Sequence, residues 1–401
     1  ITYDGLTDPL GGSQILPYLR SIAAHPRKVH VLSFEKPERF AAAGTQLAAE
    51  LAEAGIGWTP LAFSRGGKLA KVWDLARMYY TAVRLTMRHR FGIVHCRSYQ
   101  AAQVGCLLKR WFGLKVLFDM RGLWVDERVD GGIWQPARAV DRLAFHHYKR
   151  IERNLLECAD HVVALTDRVV PELRRLAPRM QAEITVIPCC ADFTHFKVLQ
   201  RDALEGVRGD LGIPKDAFVL GYLGSLGTWY CLEEMLDLFI MAAARRPDVH
   251  MLLITRDWRP VHAALLEARG GAALLTRLHV RSASREEVPA LIGSVDVMLS
   301  FIKNAYSKMA SSPTKLAEAF ACGVPVICNP GIGDVDKQVA DLSAGVLVDI
   351  ANRVALDELS TRLEAVAAMG GHGLRDRAAQ MLDLPVASTA YRKIYERMAA
   401  T

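Results

Sequence analysis

The stretch SKMASSPTKLAEAFACGVPVI, residues 307–327, has the clearest local pattern in the chain. Pro313 suits the first turn of a helix, and Ser312 before it is a typical N-terminal cap. The apolar run that follows ends at Gly323, a residue that often terminates helices, and VPVI then favours a buried strand. This stretch therefore predicts a capped turn, a helix and a strand in direct succession.

Short β-branched runs alternate with helical stretches on both sides of this segment. Most of these runs are continuously apolar, which is typical of strands that are buried on both faces of a parallel sheet. The predicted strands are residues 28–34, 92–96, 114–120, 161–166, 184–188, 217–224, 250–255, 295–300, 324–329 and 345–350. The alternation predicts an α/β protein with doubly wound parallel sheets.

The strand–helix pattern starts again in the second half of the chain. The first set of strands ends near residue 195, and the charged stretch 197–216 precedes the next strand. We therefore predict two Rossmann-like domains, residues 1–195 and 196–385. Residues 386–401 form an amphipathic helical pattern after the last strand, and this helix can pack on either domain.

Composition and charge limit the function classes. The chain has 401 residues, of which 51% are hydrophobic, but no apolar run reaches the length of a membrane span. We expect residues upstream of Ile1, because the chain opens without Met on what resembles the end of a strand. The net charge of +7 favours anionic partners: a nucleotide diphosphate, a lipid phosphate, a membrane surface or nucleic acid.

The cysteines indicate no metal site. None of the eight forms a CxxC pair or has the spacing of zinc ligands. Several lie in apolar runs, so we expect buried free thiols in a reducing cytoplasm.

The N-terminal stretch DPLGGSQILPYL, residues 8–19, predicts an anion site at a helix start. Gly11 and Gly12 would let the backbone approach a ligand, and Ser13 is a plausible cap of the helix that follows. Free N–H groups at such a helix start bind phosphate. An ordinary strand–helix turn has the same letters, so both interpretations stand here.

Two charged residues in the central segment can bind a nucleotide. Lys315 and Glu318 are three residues apart and share one helix face, with free N–H groups near Ser312 at its start. Lys315 can neutralise a phosphate, and Glu318 can accept hydrogen bonds from two ribose hydroxyls. The alternative is an ion pair on the surface of a core helix.

Two glycine-rich stretches in the second half follow predicted strands. GYLGSLGTWY, residues 221–230, carries Gly224 and Gly227, which permit a close approach of the backbone to another group. NPGIGDVDKQV, residues 329–339, is a tight loop with a further pair of glycines. Either stretch is compatible with a ligand loop or with a plain turn.

Charged side chains follow two buried strands of the first half. We expect them to gather at one sheet edge, because the carboxyl ends of parallel strands lie together. They are His95, Arg97, Asp119, Arg121 and Glu127. A charged DMR directly after VLF is costly unless it is paired or functional, which favours a site over a simple strand cap.

The predicted helix over residues 68–91 interleaves basic and aromatic residues. It can lie on an anionic membrane surface. It can equally be a solvated basic face whose aromatic residues belong to the core.

Taken together and in this order, these segments resemble the family 4 retaining glycosyltransferases of the GT-B fold, especially bacterial members that build polysaccharides and cell-surface glycans. The most specific part of the resemblance is PTKLAEAFACGVPVI. The resemblance implies two Rossmann-like domains that face each other across a cleft. It also implies that the last helix, residues 386–401, returns to the N-terminal domain. The N-terminal domain would bind a glycan or lipid-linked acceptor, and the C-terminal domain a nucleotide-sugar donor.

The resemblance also implies roles for individual residues. Glu318 would hold the ribose of the donor. Gly11 and Gly12 of the first loop would face the diphosphate. The backbone of residues 311–314 would also face it, and the candidates there are Ser311, Ser312 and Thr314.

Three positions depart from the family pattern. Ala310 stands where many members have a second glutamate that contacts the donor sugar. The basic pair that usually follows the GxLG strand is missing, and Lys315 or Arg256 are candidates to replace it. Asp119 or Arg121 stands where members often have a histidine near the reacting sugar.

We predict catalysis by stabilisation of the departing diphosphate, with Asp119, Arg121 and Lys315 as catalytic candidates, and retention of configuration as the resemblance implies. No Asp-x-Asp motif stands out at a strand end, so neither a metal nor another cofactor is expected. Peripheral contact with the inner face of an anionic membrane is possible on charge grounds, whereas no nucleic-acid-binding motif is visible. The alternatives are a GT-B nucleotide-sugar epimerase and a degenerate binding protein without turnover.

Overall fold

The computed structural model describes residues 1–23 and 28–400, and the chain divides into two compact units. Unit 1 comprises Ile1–Pro188 together with Leu384–Thr401, and unit 2 comprises Cys189–Asp383. The division after Pro188 precedes the predicted one at residue 195. The reason is local: Ala191 forms a parallel bridge with Asp383, and Phe193 is buried in the core of unit 2.

In the described part of unit 1, the strands form two parallel sheets, with orders β1-β2 and β3-β4-β5-β6. The strands are β1 (Val29–Glu35), β2 (Ile56–Ala62), β3 (Ile93–Arg97), β4 (Lys115–Asp119), β5 (His161–Ala164) and β6 (Glu183–Val186). The sequence prediction missed β2. This strand is mostly half-buried and contains Pro60, so it lacks the continuous apolar run of its neighbours.

Helices connect these strands and cover the sheets. They are α1 (Pro9–Gln14), α2 (Leu16–Ala23), α3 (Pro37–Glu53), α4 (Lys68–His89), α5 (Ser98–Phe112), α6 (Trp124–Asp130), α7 (Ala139–Cys158) and α8 (Val170–Leu176). A short 3₁₀ turn, Asp167–Val169, precedes α8.

Unit 2, whose residues are all described, contains one parallel sheet of six strands in the order β12-β11-β10-β7-β8-β9. The strands are β7 (Phe218–Leu223), β8 (Val249–Ile254), β9 (Leu278–Arg281), β10 (Val297–Ser300), β11 (Val326–Cys328) and β12 (Gly345–Leu347). The prediction missed β9, a four-residue strand at the sheet edge that is partly exposed.

The helices of unit 2 lie on both faces of this sheet. They are α9 (Arg201–Asp210), α10 (Leu232–Arg245), α11 (Pro260–Ala268), α12 (Val288–Gly293), α13 (Thr314–Ala321), α14 (Val335–Asp341), α15 (Arg353–Ser360), α16 (Leu363–Ala367) and α17 (His372–Leu382). Two further 3₁₀ turns are Ala272–Arg277 and Tyr306–Ala310.

Alternate residues of the unit 2 strands enter two separate apolar cores. Val219 and Leu252 belong to one core, whereas their neighbours Leu220 and Leu253 belong to the other. Because successive side chains of a strand point to opposite faces, this division buries both faces of the sheet. The continuous apolar runs of the sequence follow from this requirement.

The last helix, α18 (Leu384–Ala400), belongs to unit 1 and packs against α2 and β3. Its Tyr391 meets Tyr18 edge-on, with ring centroids 5.7 Å apart. Its Tyr395 hydroxyl lies 2.6 Å from Nδ1 of His95. The end of the chain therefore lies beside the charged residues that follow β3 and β4.

A cavity of about 590 Å³ lies in unit 1 between the facing edges of β1 and β3. Residues 1 and 2 bridge these edges at one end, where Thr2 N donates to Leu32 O and Arg97 N donates to Ile1 O, each at 2.9 Å. The other walls are apolar undersides of helices. We assign no substrate to this cavity, because strand edges and helix undersides are surfaces that ordinarily pack on each other.

Two cysteines differ from the prediction of free thiols. Cys106 and Cys158 form a disulfide between α5 and α7, with their Cα atoms 6.1 Å apart. The two helices pack side by side, which brings together residues that are 52 positions apart in the chain. Cys96, Cys231, Cys322 and Cys328 are free thiols, as predicted.

None of the helices in the described ranges is long and apolar enough to cross a bilayer.

Candidate functional site

A buried amine lies at the start of α13 in unit 2. Lys315 Nζ lies 3.8 Å from the ring centroid of Tyr230 and 4.5 Å from that of Tyr222. The atom is closed off from solvent and has no hydrogen-bond partner within the described residues. Contact with two aromatic faces stabilises the cation in part, but no anion completes the site.

Burial shifts the ionisation of this amine and of the carboxylate one turn later. It lowers the pKa of Lys315 to about 7, although the charge of Glu318 works in the opposite direction. Burial also raises the pKa of Glu318 to about 7, although the cations of Arg285 and Lys315 oppose this. A buried charge without a partner is costly, so each group would gain from a ligand that supplies its complement.

Glu318 keeps its acceptor atoms available. Among the described residues, no side-chain hydrogen bond involves its carboxylate. An ionised carboxylate can accept several hydrogen bonds, so it can take two neighbouring hydroxyls of a sugar ring. Lys315 and Glu318 lie one turn apart on α13, as predicted, but both residues are half-buried and not on an open surface.

Gly224 holds the loop after β7 close to this amine. Its φ of +135° is rarely adopted by residues with a side chain, and a Cβ atom there would lie 3.1 Å from Lys315 Nζ. The sequence predicted a close backbone approach at Gly224 without naming the neighbour. The structure identifies this neighbour as Lys315.

The helix start differs from the predicted one. Pro313 is the N-cap residue of α13 and makes no side-chain cap. The hydroxyl of Ser312 instead accepts a hydrogen bond from Cys189 N at 3.0 Å, so the prediction that Ser312 caps the helix is wrong. The N–H groups of Thr314 and Lys315 in the first turn still lack intrahelical acceptors, as at any helix start.

Ser311 is also committed in part. Its N–H donates to Lys308 O at 3.1 Å and closes the 3₁₀ turn before α13. Of the predicted backbone donors, Thr314 is therefore better placed to meet an anion than Ser311.

Sequence reasoning missed the aromatic residues around the amine and a second lysine. Lys308 is buried, and its Nζ lies 3.7 Å from the ring centroid of Trp229. Tyr222, Trp229 and Tyr230 all belong to the GYLGSLGTWY stretch, which was analysed for its glycines. Aromatic residues beside a glycine-rich loop were the signal in the sequence that could have predicted these contacts.

Arg256, the other predicted replacement cation, is exposed, and its Nη2 donates to Ala283 O at 3.0 Å. Arg285 was not predicted, yet its charge lowers the pKa of Glu318. The cations that oppose the raised pKa of Glu318 therefore come from α13, which carries Lys315, and from the loop after β9, which carries Arg285.

The glycines of the N-terminal segment do not form the predicted loop. Gly11, Gly12 and Ser13 all lie inside α1, whose N-cap residue is Asp8. Ser13 Oγ donates to Pro9 O at 3.0 Å, so Ser13 is not a helix cap. A Cβ on Gly11 would lie 2.3 Å from Gly5 O, so close packing against the preceding turn requires this glycine.

Asp8, the N-cap residue of α1, forms ion pairs with two basic side chains. Lys36 Nζ and Arg39 Nη1 each lie 3.0 Å from its carboxylate. The predicted helix start at Ser13 is wrong, because α1 begins four residues earlier at Pro9. Contact of Gly11 and Gly12 with a diphosphate stays a prediction.

The charged residues after β3 and β4 gather as predicted. Asp119 is 2% exposed, and its carboxylate lies 3.5 Å from Arg97 Nη1, from Arg121 Nη1 and from His95 Nε2. Burial opposes its ionisation, but Arg121, His95 and Arg97 outweigh this effect and hold the pKa of Asp119 below its ordinary value. Asp119 is thus a buried anion that positions cations.

Arg121 links this cluster to the N-terminal segment. Its Nη2 donates to Oε1 of Gln14, the last residue of α1, at 3.1 Å. The structure therefore brings the end of the 8–19 segment next to the FDMR sheet edge. Glu127, the fifth predicted member, lies in α6.

The described residues contain no group of three or more His, Cys, Asp or Glu side chains that could hold a metal ion. Independence from metals and other cofactors stays a prediction.

Two family models match the chain. The one described as "Glycosyl transferase 4-like domain" matches residues 12–190, and the one described as "Glycosyl transferases group 1" matches residues 205–367. Together they span most of both units.

Curated relatives are distantly similar in sequence. The D-inositol 3-phosphate glycosyltransferase 2 of Catenulispora acidiphila is 24% identical over 267 residues, which are 64% of this chain and 59% of that protein. The 2-deoxystreptamine N-acetyl-D-glucosaminyltransferase of Streptomyces fradiae is 25% identical over 227 residues, 56% of this chain and 51% of that protein. The chain thus spans less than two thirds of the length of either relative.

Solved structures match nearly the whole chain. HepE from Anabaena in complex with UDP-glucose aligns with a TM-score of 0.65 and 16% identity, and covers 100% of this chain and 99% of that one. The sucrose-phosphate synthase of Thermosynechococcus elongatus aligns with a TM-score of 0.66 and 17% identity, and covers 93% and 100%. At these identities the likeness is one of fold.

Proposed function

Because this chain belongs to the family 4, group 1 glycosyltransferases and has their GT-B fold, we propose that it transfers a sugar from a nucleotide-diphosphate sugar to an acceptor. The observation that carries this proposal is the incomplete charge site of unit 2. A buried amine to which no described residue hydrogen-bonds lies close to Gly224, and a carboxylate with available acceptor atoms lies one turn further along α13.

The site suits the two ends of a nucleoside diphosphate. Lys315 and the first N–H groups of α13 supply positive charge for the phosphates. Glu318 supplies acceptors for the ribose hydroxyls. The HepE structure contains UDP-glucose, so UDP and UDP-glucose are the first ligands to test.

In the proposed reaction, the bond between the sugar and the diphosphate breaks and negative charge grows on the departing phosphate. Lys315 stabilises this charge, and burial strengthens the effect because the surroundings screen it poorly. The departing phosphate oxygen takes the acceptor proton, which gives retention of configuration without a metal. This step follows from the family resemblance.

In unit 1, Arg121 is the residue proposed to contact a substrate. Asp119 is too buried for that role, and we assign it to positioning Arg97 and Arg121. An arginine held between Asp119 and Gln14 has a fixed orientation, which favours recognition of a planar or anionic group.

We propose a glycan or lipid-linked acceptor and peripheral contact with the cytoplasmic face of an anionic membrane. The support is the basic charge of the chain and the family resemblance. Nucleic acid is not among the proposed partners.

Calorimetric titration of UDP into the protein tests the donor site. We expect Glu318→Gln to weaken UDP binding by about tenfold or more, because the neutral amide accepts hydrogen bonds less strongly than a carboxylate. Glu286→Gln, an exposed change in the same unit, is the matched control and should bind as the parent does. Equal affinities for both variants would overturn the donor-site assignment.

Incubation with a nucleotide sugar alone separates the alternatives. An epimerase would convert the donor without an acceptor, and a degenerate binding protein would bind it without consuming it. Ala310 and the missing basic pair after β7 favour the binding protein over the epimerase as the second candidate.

A further inference from the structure

Helix α4 exposes a row of large apolar residues that nothing in the structure covers. Its buried side carries Asp74, Met78, Ala82 and Thr86, which recur every four residues and face the rest of unit 1. Leu69, Val72, Trp73, Tyr80 and Met87 lie on the other side and are 60–86% exposed. We call this side, with its basic residues, the α4 face.

The charge on this face has a single sign. Arg84 and Arg88 are exposed beside the apolar residues. The only acidic residue of the helix is Asp74, which is fully buried and accepts hydrogen bonds from the Tyr3 hydroxyl and Ser64 N. The α4 face is therefore both apolar and positively charged.

The neighbouring helix extends the same character. Helix α5 packs beside α4 and ends with Trp111 and Phe112, which are exposed next to the exposed Arg110. Helices α4 and α5 together carry seven exposed large apolar residues, namely the five of the α4 face with Trp111 and Phe112. Such a concentration is unusual for a surface that stays in water.

We propose that the α4 face docks on an anionic bilayer, with the helix parallel to the membrane plane. Trp73 and Tyr80 have amphipathic rings that suit the headgroup level, and the basic side chains attract acidic lipids. This inference rests on the membrane contact proposed above and identifies the surface that makes it.

A second copy of the chain is a poorer occupant. Two α4 faces in contact would bring Arg84 and Arg88 of both copies together, and the helix has no exposed carboxylate to neutralise them. An acidic lipid surface supplies the missing negative charge.

Sedimentation with lipid vesicles tests the proposal. One preparation contains equal parts of phosphatidylglycerol and phosphatidylcholine, and the other contains phosphatidylcholine alone. We expect the full chain to bind the acidic vesicles, and the double variant Trp73→Ser with Tyr80→Ser to lose about tenfold or more in affinity. Arg84→Gln with Arg88→Gln should cause a similar loss that diminishes as salt is added.

Matched variants in unit 2 control for a general loss of apolar surface or charge. Val261→Ser with Val354→Ser replaces residues that are 64% and 66% exposed and should bind the vesicles as the parent does. Arg201→Gln with Arg353→Gln removes two exposed arginines and should also have no effect.

Two results would overturn the proposal. One is equal binding of the parent and the Trp73/Tyr80 variant to acidic vesicles. The other is a dimer in solution that this variant abolishes, since a second copy would then cover the face. UDP titration of the same samples keeps the two tests separate. A variant that loses vesicle binding but still binds UDP tests only the α4 face. A parent protein that fails to bind UDP contradicts only the donor-site assignment.

Discussion

The charged cluster around Asp119 in unit 1 and the one around Lys315 in unit 2 are built on opposite principles. Asp119 is a buried carboxylate with two arginines and a histidine at 3.5 Å, whereas Lys315 is a buried amine with no hydrogen-bond partner in the described residues. The first cluster pairs its anion with cations of the same unit and therefore contributes to the folded structure. The second leaves its charge unsatisfied and is arranged to receive an anion.

The largest expected effect is on the stability of unit 1. Asp119→Asn removes the buried carboxylate that Arg97 and Arg121 share, and we expect it to lower the free energy of unfolding by roughly 3–5 kcal/mol. Differential scanning calorimetry measures this as an earlier transition. Asp4→Asn is the control: its carboxylate lies 3.8 Å from Arg97 Nε and is 44% exposed, so the loss should stay below about 1 kcal/mol.

The next effect concerns turnover in unit 2. Lys315→Met removes the proposed stabiliser of the departing phosphate, and we expect the rate of sugar transfer to fall by about 10²–10³-fold. The free energy of unfolding should stay unchanged or rise, because an unpaired buried amine is replaced by an apolar chain of similar length. Lys303→Met, at an exposed position of the same unit, is the control for turnover. A large loss of stability in Lys315→Met would contradict the contrast between the clusters.

Two glycines, Gly224 in unit 2 and Gly12 in unit 1, should give a smaller difference in the free energy of unfolding. Gly224→Ala should lower the free energy of unfolding by about 1–3 kcal/mol, because a φ of +135° is strained for alanine, and should displace Lys315. Gly12→Ala meets no atom within 4 Å in α1 and should be neutral or stabilising by about 0.5–1 kcal/mol. Chemical denaturation of both variants measures the difference. A destabilised Gly12→Ala would restore the loop predicted from the sequence.

The smallest effect is a proton taken up when UDP binds. The pKa of Lys315 is lowered to about 7, so at about pH 8 the free amine is mostly neutral, and a bound diphosphate raises this pKa again. Calorimetry in buffers of different ionisation enthalpy should show uptake of less than one proton, and UDP affinity should fall as the pH rises above 7. Lys315→Met should abolish the uptake.

Asp119 should contribute no pH dependence over the same range. Its folded pKa lies below the ordinary value, so its stabilisation is present above the ordinary pKa and is lost only as the pH falls through the folded one. The difference in unfolding temperature between Asp119→Asn and the parent should be the same at neutral and at mildly alkaline pH. A difference that varies over this range would contradict this assignment.

Much of the fold was predictable because the strands of a parallel sheet are buried on both faces. This burial leaves continuous apolar runs such as FVLGYL and HMLLI, which separate strands from helices without further information. The half-buried strand β2 and the short edge strand β9 lack such runs and were missed for that reason. The gathering of His95, Arg97, Asp119 and Arg121 was also predictable, since parallel strands end at a common edge.

The candidate site was predictable in its residue types but not in its environment. Lys315, Glu318 and Gly224 were identified from their spacing and chemistry. The rings of Tyr222 and Tyr230 around the amine, the disulfide of Cys106 with Cys158 and the role of Arg285 depend on contacts between distant parts of the chain. No local pattern encodes those contacts.

The sequence by itself determined which segments become strands and helices, because apolar periodicity and helix ends act over a few residues. The tertiary structure decided which charges are satisfied. Asp119 lies beside two arginines and a histidine, whereas Lys315 Nζ contacts two aromatic rings and has no hydrogen-bond partner in the described residues. Burial makes that difference large because water no longer screens either charge.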